Sequence, residues 1–95
     1  MSKVKISGID YAIMMKPTEE MGGHIGLANF NTQEIWINQN STAQTIKIAK
    51  WHEVVHMLDH AYDLEMTEKQ VKFFTHALLA FLEDNPGIVN EFKGT

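Results

Sequence analysis

Two periodicities divide the chain, and the change from one to the other falls near Ser41. Ile9 to Met15 is apolar and strand-like until Lys16-Pro17 stops it, and Met21-Gly22-Gly23 then marks a loop with two permissive glycines. Ile25 to Ala28 and Glu34 to Asn38 flank a polar turn, Asn29 to Gln33, and Ile35-Trp36-Ile37 has the β-branched and aromatic character of a strand. These segments predict a short antiparallel sheet built around a hairpin. Trp36 is expected in its core, where large aromatics usually sit.

Beyond Ser41 the pattern is helical. Ser41 with Gln44, and Thr67 with Gln70, have the form of capping boxes, and they predict helices over roughly Thr42 to Ala61 and Glu68 to Glu83. Asn85-Pro86-Gly87 ends the second helix, because proline restricts the residue before it and cannot continue the ladder. Ile88 to Phe92 is left as a short helical tail. The expected class is α+β: a small antiparallel β-sheet followed by a two-helix core and a short C-terminal helix, in one domain over residues 1–95.

On the first helix, Ile48, Trp51, Val55, Leu58 and Tyr62 form an apolar stripe at about 100° per residue. His52 and His56 lie on its flank, with Lys47 and Lys50 well round from them. The histidines belong to the run His52-Glu53-Val54-Val55-His56, an HExxH pattern. Two histidines four apart stand one turn above each other, so both imidazoles reach one Zn²⁺ while the glutamate between them addresses a water. Chance supplies such a run in about 2% of chains of this size and composition, so its surroundings decide its meaning.

A catalytic zinc takes a third protein ligand and keeps a fourth position for water. Cysteine is absent, which leaves the site to His, Asp and Glu; His60, Asp63, Glu65 and Glu68 are the candidates. On an unbroken helix His60 stands about 12 Å from His52 along the axis, too far for one ion, and nothing in Met57-Leu58-Asp59 breaks the helix. His60 therefore reads as a surface residue or one that supports a ligand from behind. Glu68 opens the second helix on the side of Val71, Thr75, Leu78, Leu79 and Leu82, so its carboxylate is expected to point inward at the metal, with Glu65 as the fallback. Asp59, three residues after His56, is the candidate to accept a hydrogen bond from a ligand histidine.

The run HEVVHMLDH from His52 to His60, with Glu68-Lys69-Gln70-Val71-Lys72-Phe73-Phe74 opening the next helix, resembles the ImmA/IrrE-type metallopeptidases, especially their short phage-encoded members. Asp84-Asn85-Pro86 is similar to the ending of those proteins, and the resemblance spans roughly Gly26 to Asn90. It departs from the family at Ala49-Lys50-Trp51, where small or aliphatic residues are usual, and at Phe73-Phe74-Thr75. The resemblance implies a minimal gluzincin-like domain in which His52, His56 and Glu68 hold Zn²⁺ and Glu53 is the general base of peptide hydrolysis. It also implies a bacterial host and a cytosolic protein or peptide as substrate. No residue matches an oxyanion stabiliser of the family; His24, Tyr62 and His76 qualify by type, with His76 expected to be exposed. An extended substrate is expected to pair with the strand Glu34 to Asn38. The alternative is a metal-stabilised phage or mobile-element protein that binds and modulates a partner without cutting it.

Charge and hydropathy agree with a cytoplasmic protein. The formal charge is −4 and the eight Lys and Arg form no stripe, which argues against nucleic acid as a ligand. Met1 to Gly8 lacks the apolar core of a signal peptide, and no stretch approaches the length of a membrane span. A monomer or small homo-oligomer is expected.

Overall fold

The computed structural model describes residues 3–94. Four strands, β1 (Lys3–Ile6), β2 (Ile9–Lys16), β3 (Gly26–Asn29) and β4 (Glu34–Asn38), precede three helices, α1 (Ala43–Tyr62), α2 (Glu68–Asp84) and α3 (Gly87–Gly94). The class is α+β, as the two periodicities predict. β1 lies in a segment where no strand is predicted. It pairs antiparallel with β2 through the two-residue turn Ser7-Gly8, whose φ values of 51° and 83° suit the left-handed positions of a tight hairpin.

The sheet order is β1-β2-β4-β3, and the sheet is mixed rather than antiparallel throughout. β3 and β4 form the expected antiparallel hairpin, Gly26 opposite Ile37 and Asn29 opposite Glu34. Asn29 Oδ1 closes its turn by accepting from the backbone N–H groups of Asn31 and Thr32 at 3.1 and 3.2 Å. β4, however, runs parallel to β2. Strand character in a sequence does not fix lateral order. Here the strand with the two most buried side chains, Ile35 and Ile37 at 0% exposure, takes an interior place where both of its edges are paired.

Alternation along β4 sends Ile35 and Ile37 to the helix side, where they meet Ile6, Tyr11, Ala49 and Met57 in the core. Trp36 faces the other way and is not core. It is half-buried on the outer face, its Nε1 donating to Glu34 Oε1 at 2.8 Å and the Lys16 ammonium 4.6 Å from its ring centroid.

α1 is buried on two sides. Ala49, Glu53 and Met57, spaced by four, face the sheet, while Val55 on the other side is 2% exposed and α2 packs on the helix through Val71, Thr75 and Leu79. The expected stripe is thus only part of the buried surface: Ile48 and Leu58 are half-buried, but Trp51 and Tyr62 are exposed. A helix covered twice spreads its apolar residues round the axis, and a single-stripe projection misses the second face.

The N-cap of α1 is also one residue later than predicted. Thr42 is the cap, its Oγ1 accepting from Thr45 N–H at 3.1 Å, and Ser41 instead donates its N–H to Asn38 O. Thr67 and Gln70 form the predicted capping box at the start of α2. None of the described helices is long and apolar enough to cross a membrane. Replacing Thr42 by Ala is expected to remove about 1 kcal/mol of stability, and replacing Ser41 by Ala much less. Urea unfolding of the two variants side by side checks the assignment; equal losses would contradict it.

Candidate metal centre

The two-sided burial of α1 leaves a seam between its sheet face and its α2 face. His52 and His56 occupy that seam, half-buried, with ring centroids 4.8 Å apart. Glu68, the first residue of α2, reaches back to both. Its Oε1 lies 2.7 Å from His52 Nε2 and its Oε2 lies 3.1 Å from His56 Nε2. The three side chains each offer a ligand atom, all within 4.8 Å of one another, so they form a group able to hold a metal ion. A tetrahedral ion with bonds of about 2.1 Å separates its ligand atoms by roughly 3.4 Å. Two imidazoles and one carboxylate are a donor set suited to such an ion, and their contacts of 2.7 and 3.1 Å would have to open slightly to admit it.

One expectation about Glu68 is corrected. Its side chain is not turned into the core but remains 69% exposed at the rim of the seam. Burial therefore does not hold it in place; the local backbone does. The loop before α2 is fixed by Asp59: its main-chain O accepts from the N–H of Asp63 and of Leu64, and its Oδ1 accepts from Met66 N–H at 3.0 Å. Gln70 N–H then donates to Thr67 Oγ1 at 3.1 Å while Thr67 N–H donates to Gln70 Oε1 at 2.8 Å. Within this loop Asp63 and Glu65 sit at left-handed φ values of 52° and 57°.

Asp59 thus acts on the loop that carries the third ligand, not on a histidine ring. His60, the other expected supporting residue, stacks on Phe30 at 4.1 Å between ring centroids and is not one of the three residues of the metal group. Neither Glu65 nor Asp63 joins the three-residue group.

Glu53 is the buried member of the motif, 7% exposed. It faces β3, and a Cβ on Gly26 would stand 3.0 Å from Glu53 Oε2 and 3.1 Å from its Cγ. A side chain at position 26 would crowd this carboxylate and require it to give way by a few tenths of an ångström. A glycine inside a strand pattern is the sequence signal for such a close approach, and it was available in the sequence. Burial pushes the Glu53 carboxyl above the usual carboxylate range; His56, His52 and His24 oppose that rise and Glu68 adds to it.

Two clefts meet at Glu53 and His52. One, of about 400 Å³, runs from Gly23–Gly26 past Ile48 and Ala49 to Lys72 and His76. The other, of about 430 Å³, is bordered by β3, Phe30, His56 and Glu68. His24 lines both, on a loop tied down by the fully buried Met21, whose O accepts the His24 N–H. His76 is exposed, as expected, at the mouth of the first cleft, whereas Tyr62 lines neither. Comparison with protein-family models, with curated proteins and with solved structures returns no match for the chain.

Asp59→Ala is expected to lower metal affinity about 10-fold, although Asp59 touches no ligand, whereas Asp59→Asn, which keeps the acceptor oxygen, stays near wild type. Competition titration with a chromophoric chelator measures both; equal affinities in all three proteins would remove the loop from the account. Glu53 also makes a prediction for the metal-free chain. Its folded pKa is raised, so as pH climbs past the ordinary glutamate value the unfolded chain releases this proton first and folding loses stability. Glu53→Gln does not titrate, and its stability advantage over wild type should grow across that window and level off above the raised value. Urea midpoints from acidic to neutral pH, with chelator present, test the sign.

Proposed function

We propose that the protein is a zinc-dependent peptidase of minimal gluzincin-like form, similar to the ImmA/IrrE-type metallopeptidases, acting on a cytosolic protein or peptide. One observation carries the reading: His52, His56 and Glu68 converge from two helices, and the buried Glu53 sits beside them at the junction of two clefts. A zinc ion held by those three residues supplies Lewis acidity, acidifying a water and polarising a carbonyl. Glu53 accepts the proton from the attacking water and delivers it to the leaving amine. Its raised pKa suits both halves of that task, since a base that must also act as an acid works best near the operating pH.

Substrate pairing is assigned to β3 instead of β4. β4 is paired on both sides, while β3 is the edge of the sheet and its Gly26, Leu27 and Ala28 border the second cleft. An extended peptide laid along that edge gains backbone hydrogen bonds and passes the metal group. His24, which lines both clefts, is the residue we assign to the carbonyl oxygen as it gains charge.

A second reading is a binding protein in which the metal is a brace, and it is favoured by the way His52 and His56 of α1 meet Glu68 of α2, which would let one ion tie the two helices together. Metal analysis and a single substitution separate the two. Purified protein is expected to carry one zinc per chain, Glu68→Ala to lose it, and Glu53→Gln to keep it while peptide hydrolysis falls at least about 100-fold. Full zinc retention in Glu68→Ala would sink the ligand assignment. Hydrolysis untouched by Glu53→Gln would remove Glu53 as the base, and absence of hydrolysis by the zinc-loaded wild type, with partner modulation untouched by Glu53→Gln, would leave the binding reading in its place.

A further inference from the structure

All five phenylalanines of the chain stand at 38% exposure or more. Phenylalanine is ordinarily a core residue, and a domain of this size has little apolar material to leave outside. Three of the five are on α2: Phe73, Phe74 and Phe81, at 57%, 49% and 50% exposure. With the exposed Ala77 and Ala80 they recur at spacings of three and four, which aligns them in one stripe, away from the Val71, Thr75 and Leu79 face that packs toward α1. Ile88 and Val89, 43% and 44% exposed, follow on α3, a helix with no buried residue.

We propose that this surface is where two copies of the chain pair, α2 against α2, antiparallel about a two-fold axis at Ala77. The stripe is complementary to itself in that arrangement. Phe73 meets the partner's Phe81, Phe74 meets the partner's Ala80, and Gln70 meets the partner's Asp84. The small Ala77 at the crossing lets the two axes approach to about 8 Å. Charge selects the same direction. Lys69 stands at the start of α2 and Asp84 at its end, so antiparallel pairing brings each basic start to an acidic end, whereas Lys72, which lines the first cleft, and Glu83, which pairs with Lys47 of its own chain, take no part.

Area agrees with an interface at the small end of the specific ones. Three half-exposed phenylalanines and the two alanines present roughly 350 Å² of apolar surface, given about 200 Å² for a whole aromatic side chain. The smaller specific interfaces bury up to about 600 Å² per partner, a little over half of it apolar. Glu68 lies on the α1 side of α2, so pairing leaves the metal group clear.

Sedimentation equilibrium on the whole chain tests the proposal. A particle of twice 10.8 kDa is expected at micromolar concentration. Ala77→Arg, which sets two cations face to face on the axis, should weaken association at least about 100-fold with the circular dichroism spectrum unchanged. Lys69→Glu should weaken it less, and adding Asp84→Lys should restore it. Both of these changes favour the helix dipole of α2, so melting of the helix cannot account for a loss. A wild-type monomer throughout the micromolar range overturns the proposal, as does a dimer indifferent to Ala77→Arg. Failure of the charge swap to restore pairing overturns the antiparallel arrangement.

Discussion

Everything in this small protein leans on α1 being covered from two directions at once. The sheet takes Ala49, Glu53 and Met57, and α2 lies across the other side over Val55. Two coverings leave two seams along the helix, and a residue in a seam is neither sealed in the core nor loose in solvent. His52 and His56 are there. The motif needs histidines with nitrogens free to bind and rings held still, and an intermediate degree of burial supplies both. Glu53, one position on, faces the sheet and is buried. The i, i+1, i+4 arrangement of the motif therefore distributes its members between two environments without any irregularity in the helix.

The third member of the group arrives by a different physical route. Glu68 is placed by chain geometry rather than by packing: Asp59 anchors the loop from the last turn of α1, and the Thr67–Gln70 capping box sets the first turn of α2. A side chain mostly in water can still be well positioned when the backbone beneath it has few choices. The carboxylate then bridges two imidazoles whose own positions come from the core. Local hydrogen bonding and long-range packing thus meet at one point.

The sequence made the helices, the hairpin and the three converging side chains legible, and for identifiable reasons. Helix starts are announced by residues that must satisfy local N–H groups, so Thr67 with Gln70 could be read directly, although the same pattern at Ser41 was a residue early because Thr42 offers an equivalent hydroxyl. Glu68 is legible because a ligand at a helix start is a local feature. Its exposure is not, since an inward-facing position on a wheel does not say how deep the neighbouring element covers it. Strand order and the parallel pairing of β2 with β4 are long-range choices that no short pattern encodes. β1 is not legible although Ser7-Gly8 carries a turn signal and Lys3-Val4-Lys5-Ile6 alternates polar with apolar, because four residues are too few for the alternation to stand out. Gly26 needed the structure, since the partner it makes room for is 27 positions away.

Asp63 and Glu65 give the loop between the helices a further property. A glycine would adopt their left-handed backbone at no steric cost, whereas a residue with a Cβ gives up about 1 kcal/mol or more. Yet glycine would also give the unfolded chain many more conformations to explore, and the folded loop would have to lose them all. With Asp and Glu at these positions, part of that disorder is already absent before folding begins. The connection behaves less like a tether than like a bent rod of set length, and the spacing between the histidines and the carboxylate is decided by the chain before any ligand reaches it.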